Sequence, residues 1–189
     1  MLTSKRLRKL GELGGAVIVV ALSLTIGRVA GAAMFAGGQP APLVAPDTSA
    51  PEFLMVRGDD GELAPLELAS RAKPLVVFAL SVDCPYCRKN LSNWREIVSG
   101  LRQLEKGPDV LVFSLSSVEK TRAYLRENEL PVDAVFVDKN ELSVLGLPGV
   151  PGTIAFGTGE APMRRLVGVL NEEEIESLIA WAEATSSRQ

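Results

Sequence analysis

Residues 75–101, LVVFALSVDCPYCRKNLSNWREIVSGL, decide how the chain folds. Leu75 to Leu80 is a continuous apolar run of strand length, the pattern of a central strand covered on both faces. Ser81-Val82-Asp83 closes it. Pro85 suits the first position of a helix, where its missing N–H leaves nothing unpaired. Cys87, Leu91, Trp94, Val98 and Leu101 then recur at spacings of four and three and form one apolar helical face. Gly107-Pro108 is expected to end that helix.

The turn between strand and helix carries C-P-Y-C, and Cys84 and Cys87 are the only cysteines in the chain. A cysteine at the amino end of a helix is stabilised as thiolate by unpaired backbone N–H groups and the helix dipole. Cys84 takes that place and is the expected nucleophile. Cys87, one turn along and turned inward, is placed to resolve a mixed disulfide formed at Cys84, so the pair would cycle between dithiol and Cys84–Cys87 disulfide. Arg88 and Lys89 favour a thiolate, whereas Asp83 acts the other way. Two blander readings compete: buried inert thiols, or half of a metal site shared across a dimer. C-P-x-C directly after a buried strand argues against the first. A Cys-only metal site needs four thiolates and the chain supplies two, so no metal is expected. A second element, Gly149-Val150-Pro151-Gly152-Thr153, lies 67 residues past Cys84 and sets a proline just before a buried strand. An X-Pro bond of either isomer is compatible with that sequence.

Composition removes other chemistries. There is no histidine, so Ser-His or Cys-His catalysis and His-ligated metals are excluded within the chain. The content is 47% hydrophobic and 23% charged, enough for a packed core and not a disordered composition. Residues 1–37 hold five basic residues and one acidic. The remainder holds 15 basic against 22 acidic, a net charge of −7. An acidic body with its basic cluster at one end carries no electrostatic footprint for nucleic acid.

Outward from the motif, the amino-terminal side divides into three. In residues 1–36, an apolar stretch at 14–36, interrupted only by Arg28, comes after Lys5, Arg6, Arg8 and Lys9. It is long enough to span a bilayer core, and the positive-inside rule places the body of the chain, from residue 37 on, outside the cytoplasm. A cleaved signal peptide with Ala30-Gly31-Ala32-Ala33 near its cleavage site is the competing reading, with the same address. Residues 37–51 hold four prolines and read as a semi-rigid spacer. Residues 52–189 are mixed α/β. Phe53–Val56 and Leu63–Leu68 flank the turn Gly58-Asp59-Asp60-Gly61 as a hairpin. Strands are expected at Val110–Leu115, Ala134–Val137, Thr153–Phe156 and Arg165–Leu170, and a polar helix at Val118–Asn128. A last helix is expected from the N-cap Asn171, with Glu174 completing a capping box and Ile175, Leu178, Ile179 and Ala182 buried.

From about Glu52 to Ala184 these residues resemble a thioredoxin-like fold, and more narrowly the membrane-anchored TlpA/ResA-type thiol-disulfide oxidoreductases. The resemblance rests on the Asp60–Leu63 turn, the stretch Pro74–Cys87, the segment Val135–Gly146 and the V-P-G-T loop. It implies a central mixed sheet flanked by helices. It also implies a nucleophilic Cys84, a resolving Cys87, a cis Pro151 packed against the disulfide and a Val150 backbone that pairs with substrate. Pro85 and Tyr86 would line the same surface. Asp83 stands where the family usually has an aromatic residue, Phe78 where thioredoxins carry a buried acid, and Asn90 where ResA-type proteins carry a glutamate. The acceptor for the Cys87 proton is then water, Asp83 or a substrate group. Pro85-Tyr86 matches the glutaredoxin dipeptide, which implies a potential nearer about −200 mV than thioredoxin's about −270 mV. The likeness extends to anchored accessory proteins of methylamine dehydrogenase assembly.

The expectation is an extracytoplasmic, membrane-anchored oxidoreductase. It would exchange dithiols and disulfides with exported proteins, in the reductase direction, needing no cofactor and recharged by a transmembrane thiol reductant. A disulfide-forming oxidase or isomerase, or a non-catalytic binding module with the cysteines locked together, are the alternatives.

Overall fold

The structure is a computed structural model and describes residues 50–58, 60–158 and 163–187. Strand β3 (Leu75–Leu80) is buried along its whole length. Val76, Phe78 and Leu80 point into one core layer and Leu75, Val77 and Ala79 into the other, the two-residue alternation of a pleated strand. An apolar residue at every position is therefore required, because helices or loops cover both faces.

Parallel β4 (Asp109–Ser114) lies on one side of β3 and antiparallel β6 (Gly152–Phe156) on the other. Beyond β4 comes parallel β5 (Asp133–Phe136), then β1 (Phe53–Arg57) and β2 (Leu63–Glu67), each antiparallel to its neighbour. Beyond β6 comes antiparallel β7 (Arg164–Val167). The mixed sheet has the order β2-β1-β5-β4-β3-β6-β7. On the Val76 face, α1 (Pro85–Arg102), α2 (Val118–Glu127) and α4 (Glu172–Ser186) enclose a core of Leu91, Trp94, Val98, Leu125, Leu178 and Trp181. On the opposite face, Leu142 of the short α3 (Lys139–Val144) packs with Leu54, Val56, Leu147 and Phe156. Fully burying each such side chain contributes roughly 1.5–3 kcal/mol, which is what holds the layers together.

Several boundaries differ from those read in the sequence. Helix α1 stops at Arg102, one residue past its last apolar position, and Gln103 to Gly107 form tighter turns before Pro108. Strand β7 ends at Val167, because Gly168 turns the backbone to φ +101° and sends its N–H to the Pro151 carbonyl. Helix α3 was not expected. Its six residues are too few to show a period, and what starts it is a reciprocal capping box between Asp138 and Glu141. The same device opens α4, where Asn171 and Glu174 each accept the other's backbone N–H. In α4 it is Trp181, rather than Ile179, that is buried. Among the described residues no helix is long and apolar enough to cross a membrane. The apolar stretch 14–36, and the spacer except for its last two residues, lie outside the described residues.

Candidate active site

Strand β3 delivers the chain at its carboxyl end, where Cys84 N–H donates to Ser81 O at 3.1 Å and the backbone turns into α1. Cys84 is the N-cap of α1 and Pro85 opens the helix. A proline there forfeits no hydrogen bond and holds φ near the helical value. Cys84 Sγ accepts the Cys87 N–H at 3.3 Å, so the sulfur takes the place of a capping oxygen against one of the unpaired helix donors. The donor and the positive end of the helix both face charge that develops on this sulfur.

The two thiols are free and differ in exposure. Cys84 is partly exposed, whereas Cys87 is fully buried beneath the first turn. Burial, and then its hydrogen bond with Cys84, pushes the Cys87 thiol up to about 12. At neutral pH Cys87 is therefore a protonated thiol held in reserve behind the exposed sulfur.

The sheet register brings the proline loop to the same place. Ala79 pairs with Gly152, so Val150 and Pro151 fall beside the carboxyl end of β3. The Val150–Pro151 bond is cis, and the Val150 carbonyl oxygen lies 3.7 Å from Cys84 Sγ, the outer range for a weak S–H donor. Gly152 must be small: a Cβ there would meet Leu147 Cδ1 at 2.8 Å. Pro151 is buried and Val150 partly so, while Pro85 and Tyr86 stand exposed on the rim, Tyr86 at 58%. The structure thus brings Cys84, Cys87, Pro85, Tyr86, Val150 and Pro151 around one sulfur.

The charged residues singled out in the sequence sit differently. Asp83 and Arg88 are exposed. Lys89 Nζ lies 5.4 Å from the centre of the Tyr86 ring. Tyr124 itself was missed. Its pKa is raised, chiefly by burial. Phe78 is fully buried and stacked on Trp94 at 5.2 Å, so no carboxylate lies beneath Cys87 at that position. Asn90, also fully buried, bonds to the backbone after β7. No spacing in the sequence reveals that pairing.

Among the described residues no group of three or more His, Cys, Asp or Glu side chains is placed to hold a metal ion. A wide surface groove of about 800 Å³ between α1, α2 and the amino ends of β4 and β5 contains neither cysteine and lies at the other end of the sheet.

No protein-family model matches the chain, and a search of curated proteins finds no match. Solved structures do match. The thioredoxin domain of a thiol-disulfide oxidoreductase from Bacteroides vulgatus superposes with a TM-score of 0.56 at 16% identity, over 74% of this chain and 99% of that one. StoA from Bacillus subtilis gives 0.52 at 14% identity, over 71% and 98%. A secreted Mycobacterium tuberculosis disulfide oxidoreductase homologous to E. coli DsbE gives 0.52 at 12% identity, over 67% and 94%. At these identities the likeness is one of fold, and with the mixed sheet, the C-P-Y-C helix start and the cis-proline loop it establishes that the chain has a thioredoxin-like α/β fold.

Proposed function

We propose that this chain is a thiol-disulfide oxidoreductase of exported proteins, working as a membrane-anchored reductase outside the cytoplasm. One observation carries the chemistry: a partly exposed Cys84 Sγ capping α1 and facing the Val150–Pro151 loop, with a buried, protonated Cys87 one turn behind. The Cys84 thiolate attacks a substrate disulfide. Its S–S bond breaks, a mixed disulfide forms, and the first substrate sulfur leaves as thiolate and takes a proton. Cys87 then loses its proton and attacks Cys84 Sγ. The mixed disulfide breaks, the Cys84–Cys87 bond forms, and the second substrate sulfur leaves as thiol. Two electrons have passed from the dithiol to the substrate.

Cys87 needs an acceptor for its proton, and the fully buried Phe78 removes an internal carboxylate from that role. Water admitted as the mixed disulfide opens the first turn takes it. The oxidised pair is recharged by a transmembrane thiol reductant. Lys5, Arg6, Arg8 and Lys9 before the apolar stretch 14–36 support the location, as does the likeness to a secreted disulfide oxidoreductase of Mycobacterium tuberculosis.

The test is exchange by the full reduced chain with a peptide disulfide. Wild type is expected to release peptide thiols, and Cys84→Ser to release none. Equilibration with glutathione sets the direction: a potential near or below about −250 mV supports a reductase, and one above about −180 mV assigns disulfide formation or isomerisation instead. A pair that exchanges with nothing leaves only the binding-module reading.

A further inference from the structure

Behind the two sulfurs, the side chain of Asn90 closes a ring of hydrogen bonds that the exchange chemistry does not itself use. Asn90 lies one turn past Cys87 on α1 and is fully buried. Its Nδ2 donates to Gly168 O at 3.2 Å, and its Oδ1 accepts the Leu170 N–H at 3.0 Å. The backbone is thus gripped on both sides of Val169, whose own side chain is 41% exposed. Asn93, a turn further, donates to Asn90 Oδ1 at 3.1 Å and to Leu170 O at 2.8 Å, fixing the amide's orientation. Gly168 passes the constraint on, since its N–H donates to Pro151 O at 2.9 Å. Pro151 is bonded to Val150, whose carbonyl lies 3.7 Å from Cys84 Sγ. The ring therefore runs from Cys84 along α1 to Asn90, across to Gly168, to Pro151, and back through Val150 to Cys84.

An amide suits that position. It must donate to a carbonyl and accept from an N–H at once, which a carboxylate cannot do and an aliphatic side chain cannot attempt. An unpaired polar group left in such a buried place is costly, so the clamp is rigid while it is complete. Gly168 is equally constrained, because at φ +101° a side chain is strained even though a Cβ there meets open space.

Resting on the proposed exchange reaction, we propose that Asn90 is a positioning residue. It fixes segment 168–170, and through it the Val150–Pro151 loop, at the spacing from Cys84 that an incoming polypeptide needs on either side of its cysteine. The partner this implies is an extended chain that lies between Val150 and Val169, and a small thiol compound has no use for the second wall.

The experiment compares two probes with the full chain: an extended peptide whose cysteine is in mixed disulfide with thionitrobenzoate, and cysteine itself bearing the same group. Cys84 attacks the cysteine sulfur in both and expels thionitrobenzoate, so the chemistry is identical and only the flanking backbone differs. In Asn90→Ala the peptide reaction is expected to slow by about tenfold to a hundredfold, with the free-cysteine reaction within about twofold of wild type, since a misplacement of about 1 Å can cost that much in positioned chemistry. The potential of the Cys84–Cys87 pair should not move, because Asn90 bonds to neither sulfur. Gly168→Ala attacks the other end of the clamp and is expected to reproduce the loss; if Asn90→Ala fails to fold, that variant decides. Equal slowing of both probes, or no change in their ratio, in the folded variants overturns the positioning role. Failure of the wild-type chain with both probes overturns the exchange reaction instead.

Discussion

One turn of helix separates the two cysteines, and they differ in exposure. Cys84 caps the turn and is reachable, and Cys87 lies under it with its thiol pushed up to about 12. Iodoacetamide at neutral pH is therefore expected to add a single label, on Cys84, with Cys87 labelled only after unfolding; peptide mass mapping reads the result. Stability should carry the same asymmetry. An ordinary cysteine in the unfolded chain titrates near 9.0, so above that pH the unfolded state loses a proton that the folded state keeps. The contribution is complete below about pH 9 and is lost as pH rises towards 12, at up to about 1.4 kcal/mol per pH unit. Reduced wild type should thus lose stability between pH 9 and 10.5 relative to Cys87→Ser in urea unfolding, and parallel curves would refute the assignment. The placement of both cysteines, one capping the helix and one buried a turn behind it, was legible in the sequence because motif and helix start coincide. Tyr124 and the clamp at Asn90 were not, since their partners are brought close only by the fold and Leu170 stands 80 residues away from Asn90.

At the scale of elements, β3 and α1 form a unit locked by one aromatic residue. Trp94 stacks on Phe78 of β3, and its Nε1–H donates to Thr153 Oγ1 of β6 at 3.2 Å. Three elements meet at that side chain directly behind the proline loop. Trp94→Ala is expected to cost about 3–5 kcal/mol through the cavity it leaves. Trp94→Phe, which keeps an aromatic ring against Phe78 but strips the Thr153 hydroxyl of its donor, should cost about 1–3 kcal/mol. Urea midpoints at constant slope would measure both, and a tolerated alanine would show that the stack does not hold the unit together. A continuous apolar run exposed β3 in the sequence, apolar spacings of four and three exposed α1, and a capping box exposed α4. Helix α3 escaped because six residues give less than two turns of period, and the end of β7 escaped because a lone glycine there reads equally as a bulge or a stop. The cis isomer came only from the family resemblance, because both isomers suit the same residues.

For the whole molecule, the proposed location rests on the charge distribution along the chain. The basic residues of the amino terminus, the apolar stretch 14–36 and a body of net charge −7 form a single polarity along the chain. In cells the full chain is expected to sediment with membranes, and Cys84 to react with a membrane-impermeant maleimide added from outside the cytoplasmic membrane. Changing Lys5, Arg6, Arg8 and Lys9 to glutamate should weaken that orientation, seen as reduced labelling. The most direct test of the central claim, that Cys84 attacks and Cys87 resolves, is to mix full-length Cys87→Ser with a peptide disulfide and identify the adduct by mass spectrometry without reduction. A stable mixed disulfide on Cys84, absent from Cys84→Ser and transient in wild type, is the expected result; an adduct forming as readily on Cys87 in Cys84→Ser, or none in any variant, would contradict it.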